Sequence, residues 1–373
     1  MKLISNLLRK GYGLSYNLVN PVLWRYVVRH LAEGILVVFG VVIVVFLLYY
    51  ALPGDPVSMI AGQRTDIMTK EAIKAELGLD KPLPTQLYLY LRDLSPVSMH
   101  HDTPEERKKY NYTPLFSVGE QVVVVKMPYM RRSFQTKRLV SELILDKLML
   151  TLILALAAMA FATVVGIFLG VWAATRANSW IDNVIIGGSV AGISMPSFVS
   201  ASLISLYLGY KLGPYIGLNG TGSLWVETIY YGRQLQLQNL ILPALTLGIR
   251  PLSIIVQLTR SSMLDALSQD YIRTAYAKGL SRRRVIWRHA LPNALNPVIT
   301  AVSNWLASLM SGAFFVELIF DWKGLGYETI QAVRTLDLPV LMGATIVIAA
   351  TFVVINFLAD ILYALIDPRV RLQ

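Results

Sequence analysis

The chain has 373 residues, of which 55% are hydrophobic and only 15% charged, with a formal charge of +11 and no cysteine. A soluble domain carries about 25% charged residues, so this composition argues against a water-soluble globule. The missing cysteine excludes a disulfide framework, a thiolate nucleophile and a thiolate metal site. The basic residues cluster beside apolar segments, as they do at membrane surfaces, which argues against a nucleic-acid partner and for membrane lipid.

Met1 to Trp24 mixes Leu and Tyr with Lys2, Arg9 and Lys10. It reads as an interfacial amphipathic segment, with no small-residue cleavage pattern. Residues 1–26 therefore form a cytoplasmic or interfacial lead-in. Gly34 to Leu52 carries no charge and follows Arg25 and Arg29. Roughly 20 residues cross the hydrocarbon core, so 27–52 is a first span entering from the Lys/Arg-rich side. Leu52-Pro-Gly-Asp-Pro56 stops it, because the two prolines forbid continued helix. Thr69 to Leu77 predicts a short helix with Thr69 as its N-cap and Gly78 just past its end.

Residues 53–147 form a long hydrophilic excursion. Its basic residues do not break the topology rule, which applies to short loops. Val122 to Val125 is a β-branched run and predicts a strand, while Tyr110 to Pro114 and Lys126 to Pro128 are less regular. His100-His101-Asp102 lacks a spaced third ligand and reads as a solvated loop rather than a metal site. A small exterior subdomain results. It could touch a partner or be loop decoration, and the residues do not choose between these.

Leu148 to Thr175 is a charge-free second span, with Gly166 and Gly170 spaced for close helix contact. Asn183 to Tyr210 is the third, with a kink expected near Pro196 in Ser194-Met-Pro-Ser197. Such a kink serves either structure or a pore wall. Lys211 to Gln238 is an exterior loop, and Leu240 to Leu258 is the fourth span. Arg250 sits near its middle, where a charge costs at least ~2.5 kcal/mol unless hydrated or paired. Three readings of Arg250 stand: it lines a polar route, it pairs with Glu317, or it snorkels.

A basic loop follows, with seven Lys/Arg against two Asp between Arg260 and Arg288. Ser268 to Lys278 predicts a helix stopped by Gly279, with Ile272, Ala275 and Tyr276 on one face and Arg273 and Lys278 flanking it. The helix either docks into a partner or lies on anionic lipid. Pro297 to Phe320 is the fifth span, notched by Asn304, Ser308 and Ser311, and Pro339 to Ala359 is the sixth. Asp367-Pro-Arg-Val-Arg371 then closes the chain on the basic side. The short loops at residues 1–29, 176–182, 260–288 and 367–373 all agree with both termini being cytoplasmic.

Ala275, three residues, Gly279, then eleven residues to Leu291-Pro292 resembles the coupling-loop signature of ABC importer permeases. Tyr271-Ile-Arg-Thr-Ala275 and Ala277-Lys-Gly-Leu-Ser281 resemble its dipeptide/oligopeptide/nickel branch, where Arg273 and Thr274 are ordinary. So do Leu52-Pro-Gly-Asp-Pro56, Leu77-Gly-Leu-Asp-Lys-Pro-Leu-Pro84 and Ser311-to-Gly326. His289 and Lys323 depart from the pattern, and about 30 residues between Leu94 and Thr136 look inserted. The resemblance runs from residue 27 to the end. It implies an all-α polytopic membrane protein of the ABC type I importer permease fold, with six transmembrane helices, an exterior subdomain at 53–147 and a core at 148–373 holding the coupling loop 260–292. It also implies that Asp270, Tyr271, Arg273, Thr274, Ala275, Ala277, Lys278, Gly279, Leu291 and Pro292 couple to separate ATPases. Ser194, Pro196, Arg250, Asn304 and Ser311 are candidates for the translocation path.

No Gly-x-x-x-x-Gly-Lys-Ser/Thr run occurs, and no catalytic or metal set is legible. The expectation is a non-enzymatic permease subunit of the bacterial inner membrane that binds no cofactor, with ATP and Mg on partner ATPase subunits. Its other partners would be a second homologous permease, an exterior solute-binding protein and a peptide substrate. The alternatives are a same-family importer of nickel chelate, glutathione or oligosaccharide, and an ion-driven carrier or channel. A carrier would show internal repeats and membrane-embedded acids, neither of which is evident.

Overall fold

The computed structural model describes residues 21–51, 71, 80–228 and 230–366. Residues 1–20, the Leu52–Pro56 stop, the helix expected over Thr69–Leu77 and the closing Asp367–Arg371 lie outside them. Helix α1 (Pro21–Ala51) is long and apolar enough over Val28–Leu48 to cross a membrane, with Arg29 paired to Glu33 at its start. Its Val42, Val45 and Phe46 pack with Leu87, Tyr90 and Leu91 of α2 (Leu83–Leu94) and with Met342 and Ile346 near the C-terminus.

Between α1 and the next long helix stands a small α/β unit. It comprises α2, strand β1 (Val97–His101), helix α3 (Pro104–Tyr110), and strands β2 (Thr113–Val118) and β3 (Gln121–Val125). The sheet is antiparallel in the order β1-β3-β2. The predicted Val122–Val125 strand is its centre. Its two partners escaped sequence reading for a physical reason: β1 is mostly Ser, Met and His, and β2 is exposed throughout, so neither alternates apolar with polar. The expected His100 loop is instead a buried strand residue. Its Nε2 lies 3.0 Å from Ser98 Oγ and its Nδ1 3.0 Å from Glu106 Oε2. Beside it the Tyr110 hydroxyl donates to Asp93 (2.9 Å) and the buried Lys126 ammonium donates to the Asp93 carbonyl. The segment that follows this unit is tied to Asp337, whose carboxylate accepts from Ser133 Oγ and from the backbone N–H groups of Phe134 and Gln135.

The core is built on α4 (Val140–Thr175), α5 (Trp180–Ser194) and α6 (Ser197–Ile204, continued as a π-turn over Ser205–Lys211). A loop with the two-stranded ribbon β4 (Trp225–Thr228) and β5 (Gly232–Leu235) leads to α7 (Gln238–Leu267). Beyond the basic loop, with its helix α8 (Asp270–Ala277), come α9 (Asn296–Gly312), α10 (Phe314–Ile319), α11 (Leu325–Arg334) and α12 (Leu338–Ile366). Two features differ from expectation. The kink near Pro196 is a full break, with α5 and the following segment bent by 110°. Proline has no N–H to donate, and its ring excludes the preceding turn. The expected fifth span is divided after Gly312, leaving a 17-residue α9 of about 26 Å, short of the ~30 Å hydrocarbon core. By length and composition, four described helices can cross a membrane, or five if the bent pair counts as one.

α4 and α7 form the tightest pair. A Cβ on Gly170 would lie 2.5 Å from Thr259 Cβ and 2.8 Å from the Val256 carbonyl oxygen, and one on Gly166 would lie 2.8 Å from Ile255 Cγ2. From the other side, a Cβ on Gly248 would meet the Ala158 carbonyl oxygen at 2.8 Å. Small residues let backbones approach where lipid supplies no hydrophobic drive.

Gly170→Val is expected to lower the thermal unfolding midpoint in detergent, at an overpacking cost of about 1–3 kcal/mol. Gly187→Val, where a Cβ meets nothing within 4 Å, should not. A second prediction concerns acid. Burial, and then the nearby Arg92, hold the His100 imidazole below its usual value of 6.5. A base with a lowered folded pKa favours its neutral form. The stability His100 contributes is therefore complete above about pH 6.5 and is lost as pH falls from there through the folded pKa. Limited proteolysis of the reconstituted chain at about pH 7.5 and 5.5 should show faster cutting within 97–125 at the lower pH, and His100→Asn should narrow that difference.

Candidate functional site

The basic loop is held by its own chain. α8 begins after Gln269, and its Thr274 hydroxyl donates to the Asp270 carbonyl. It ends in a Schellman turn: the Gly279 N–H bonds the Tyr276 carbonyl (2.9 Å) and the Leu280 N–H bonds the Ala275 carbonyl (3.3 Å). Gly279 has φ +74°, a left-handed conformation that costs other L-residues about 1 kcal/mol or more. Here the sequence reading of the helix and its stop matches the structure closely. The facing of the helix does not. Ile272 (2% exposed) and Ala275 pack inward against Met263, Val285 and Ala290 within the chain, so the apolar face is already occupied. Tyr276, expected on that face, is exposed. The outward face consists of Asp270, Tyr271, Arg273, Thr274, Tyr276, Ala277 and Lys278. Leu291 is buried in the same internal cluster, while Pro292 is exposed. Arg282 anchors the returning, helical part of the loop by donating to the Thr175 carbonyl (2.8 Å) at the end of α4.

One ion pair links this loop to the broken helix pair. Arg260, ten residues before α8, donates from Nε and Nη2 to the two oxygens of Asp182, each at 2.6 Å. Asp182 is buried in the first turn of α5 and also accepts from the Asn178 N–H (2.9 Å). Parallel, bidentate guanidinium–carboxylate contacts are directional as well as strong. The signal was thin in sequence, since the partners are 78 residues apart and each looks like an ordinary loop charge.

At the 110° break lies a cavity of about 220 Å³, lined by Ser197, Ser200, Thr246, Arg250, Trp305 and Ser308 among others. Of the five residues expected on a path, Arg250 lines it. Ser194 and Pro196 flank liners, but the Ser194 hydroxyl turns back to the Val190 carbonyl (2.9 Å). Asn304 is exposed one turn before Ser308 and is not a liner, and the Ser311 side chain lies outside the described residues. Ser197, Ser200, Thr246 and Trp305 were missed because hydroxyls and one indole on apolar helices look like ordinary packing until the break gathers them. A second cavity of about 730 Å³ opens by the π-turn, lined by Ser205, Tyr210, Asn219 and Gln238 among others.

Comparison with known proteins decides the family. The model for the binding-protein-dependent transport system inner membrane component matches residues 166–372, and that for the N-terminal part of such membrane components matches 23–155. The chain belongs to this family. A dipeptide transport system permease protein of Escherichia coli K12 is 34% identical over 365 residues, covering 93% of this chain and 98% of that protein. A di/tripeptide transport system permease protein of Pseudomonas aeruginosa is 35% identical over 366 residues, covering 93% and 99%. A dipeptide transport system permease protein of Alkalihalophilus pseudofirmus is 33% identical over 360 residues, with the same coverage.

In this binding-protein-dependent transport component, Glu317 is fully engaged away from Arg250. It is 0% exposed, accepts from the Thr151 hydroxyl (2.6 Å) and from the Tyr327 N–H (2.8 Å), and so caps the start of α11. Thr151 in turn accepts from the Leu325 N–H (2.8 Å), and the Trp322 indole donates to the Leu150 carbonyl (3.1 Å). A Cβ on Gly324 would sit 2.5 Å from Glu317 Oε1. The Glu317–Arg250 pair entertained from sequence is thus replaced by a capping role for Glu317. Lys323, the departure in this block, donates to Asp321 and to the Tyr327 hydroxyl.

Asp182→Ala strands Arg260 without its acceptor. It is expected to lower the thermal midpoint of the purified protein, with a cost on the order of 2 kcal/mol because Arg260 is partly solvated. The exchanged pair Asp182→Arg with Arg260→Asp should recover part of the loss. No effect of the single change would show the pair to be energetically idle.

Proposed function

We propose that the chain is one of two membrane-spanning subunits of an ATP-driven importer for di- or oligopeptides. The observation that carries this reading is the division of α8. Its apolar face is consumed inside the chain, while its outward face is a compact set of Tyr, Arg, Thr, Lys and Asp groups that, among the described residues, bond only within α8 itself. A basic, aromatic face on a rigidly capped helix suits a groove on another protein better than a lipid bed, which would take the apolar side. The chain lacks a phosphate-cradling loop, so ATP and Mg belong on partner ATPase subunits. The names of the relatives supply the cargo class.

In this reading both termini and the α8 loop are cytoplasmic, the unit at 80–139 is exterior, and α9 with α10 completes a sixth span. A second homologous permease forms the other half of the route, and a solute-binding protein delivers cargo from outside. Closure of two ATPases displaces α8. The α7 rod and the Asp182–Arg260 pair carry that displacement to the break at Pro196. The bias comes from different ATPase affinity for the two permease states, since a ligand shifts a conformational equilibrium only by its differential affinity. Ala275 and Leu291 then serve by seating α8 rather than by touching the ATPase, and Gly279 by ending it.

Arg273→Glu combined with Thr274→Glu, both on the outward face, is expected to leave the chain folded in the membrane. Peptide uptake by the reconstituted complex should fall at least about tenfold, and ATPase recovery with the chain should fall with it. Ala275→Glu should behave differently, lowering the amount of folded chain, because it buries a charge in the internal cluster. Normal uptake by the double variant would refute the docking face.

A further inference from the structure

The cavity at the helix break is chemically one-sided. Arg250 supplies a cation, Ser197 and Ser200 supply hydroxyls, those of Thr246 and Ser308 donate back to the Leu242 and Asn304 carbonyls, and no acidic residue is among its liners. Among the described residues no carboxylate forms a salt bridge with Arg250, and Glu317 is held by Thr151 and the α11 backbone. A guanidinium near the middle of a helix long and apolar enough to cross a membrane is unfavourable unless something anionic or wet meets it, and Arg250 is exposed in this chain. At about 220 Å³ the space holds roughly seven waters' volume, enough for the end of a peptide and too small for a long one. Its indole, Trp305, offers an apolar wall beside the charge.

We propose that this cavity is a transit site for the free C-terminal carboxylate of the cargo, with Arg250 as its specificity-determining cation and the hydroxyls of Ser197 and Ser200 as supporting donors, since Thr246 already donates to the Leu242 carbonyl. The proposal rests on the peptide-importer reading and adds to it which end of the peptide the membrane subunit recognises. Arginine suits this role because its planar fork matches a carboxylate with two parallel bonds. The N-terminal ammonium finds no anionic partner in this cavity, so cargo crosses with its carboxylate engaged here and its amino group elsewhere.

The test uses the complete reconstituted importer with its binding protein, loaded to saturation with either a dipeptide or the same dipeptide as its C-terminal amide. Wild type should take up the acid at least about tenfold faster than the amide, the scale of one lost charge-assisted hydrogen bond. Arg250→Gln should slow the acid to near the amide rate and affect the amide far less, and Arg250→Lys should retain part of the preference. If Arg250→Gln slowed both cargoes equally, the residue would be serving the fold or pairing with an acid on the other permease, and the proposal would fail. It would fail equally if the variant kept the full preference for the acid. Absence of uptake of either peptide by wild type would instead overturn the importer reading itself.

Discussion

The architecture depends on the close approach of α4 and α7. Lipid tails are as apolar as leucine, so two helices in a bilayer gain little from hiding apolar side chains and must gain from contact and fit. Gly166, Gly170 and Gly248 remove the side chains that would keep the backbones apart, and Ile255, Val256 and Thr259 fill the space. Around this pair the buried cluster of Leu154, Ala158, Leu242 and Leu247 extends to Val316, Phe320 and Trp322. Glu317, Thr151 and the N-terminus of α11 form its polar lock. An acid in such a place persists only because hydroxyl and backbone donors replace the water it lost.

α7, packed along α4, is a helix of 30 residues with Pro243 and Pro251 inside it, about 45 Å long, and it carries the features that matter. Arg250 sits near its centre at the break of the neighbouring pair. Arg260 lies nearer its end, gripping the start of α5. α8 follows directly, seated on residues of α4, α7 and the returning loop. α8 is thereby joined to α4 and α7 through packed side chains, and α7 to α5 through a directional ion pair. The 110° break interrupts the core, and the smaller cavity opens there.

Much of this was legible from local chemistry. The glycine spacing of α4, the stop at Gly279, the isolated charge of Arg250 and the composition of the long apolar segments each carry meaning within a few residues. What escaped depends on relations between distant residues. Asp182 and Arg260 reveal nothing until the fold joins them. The outer strands of the sheet have no alternation because one is exposed along its whole length and the other holds His100 on a polar network. The face that α8 buries could not be read from its own periodicity, since Tyr276 and Ile272 look alike to a helical wheel and only the returning loop decides between them. The fifth span is the same kind of case: the composition of 297–320 is apolar enough, yet the helix is divided after Gly312, and Glu317 on its second piece accepts from Thr151 of α4.

The central claim is that the outward face of α8 is a seat for a separate ATPase. The most direct measurement is the subunit composition and stoichiometry of the complex purified from native membranes in mild detergent, by mass spectrometry of the intact assembly. The account predicts one copy of this chain with one homologous permease and two copies of nucleotide-binding subunits carrying the phosphate-cradling loop this chain lacks. Recovery of the chain alone, or as a homo-oligomer without any such subunit, would contradict it.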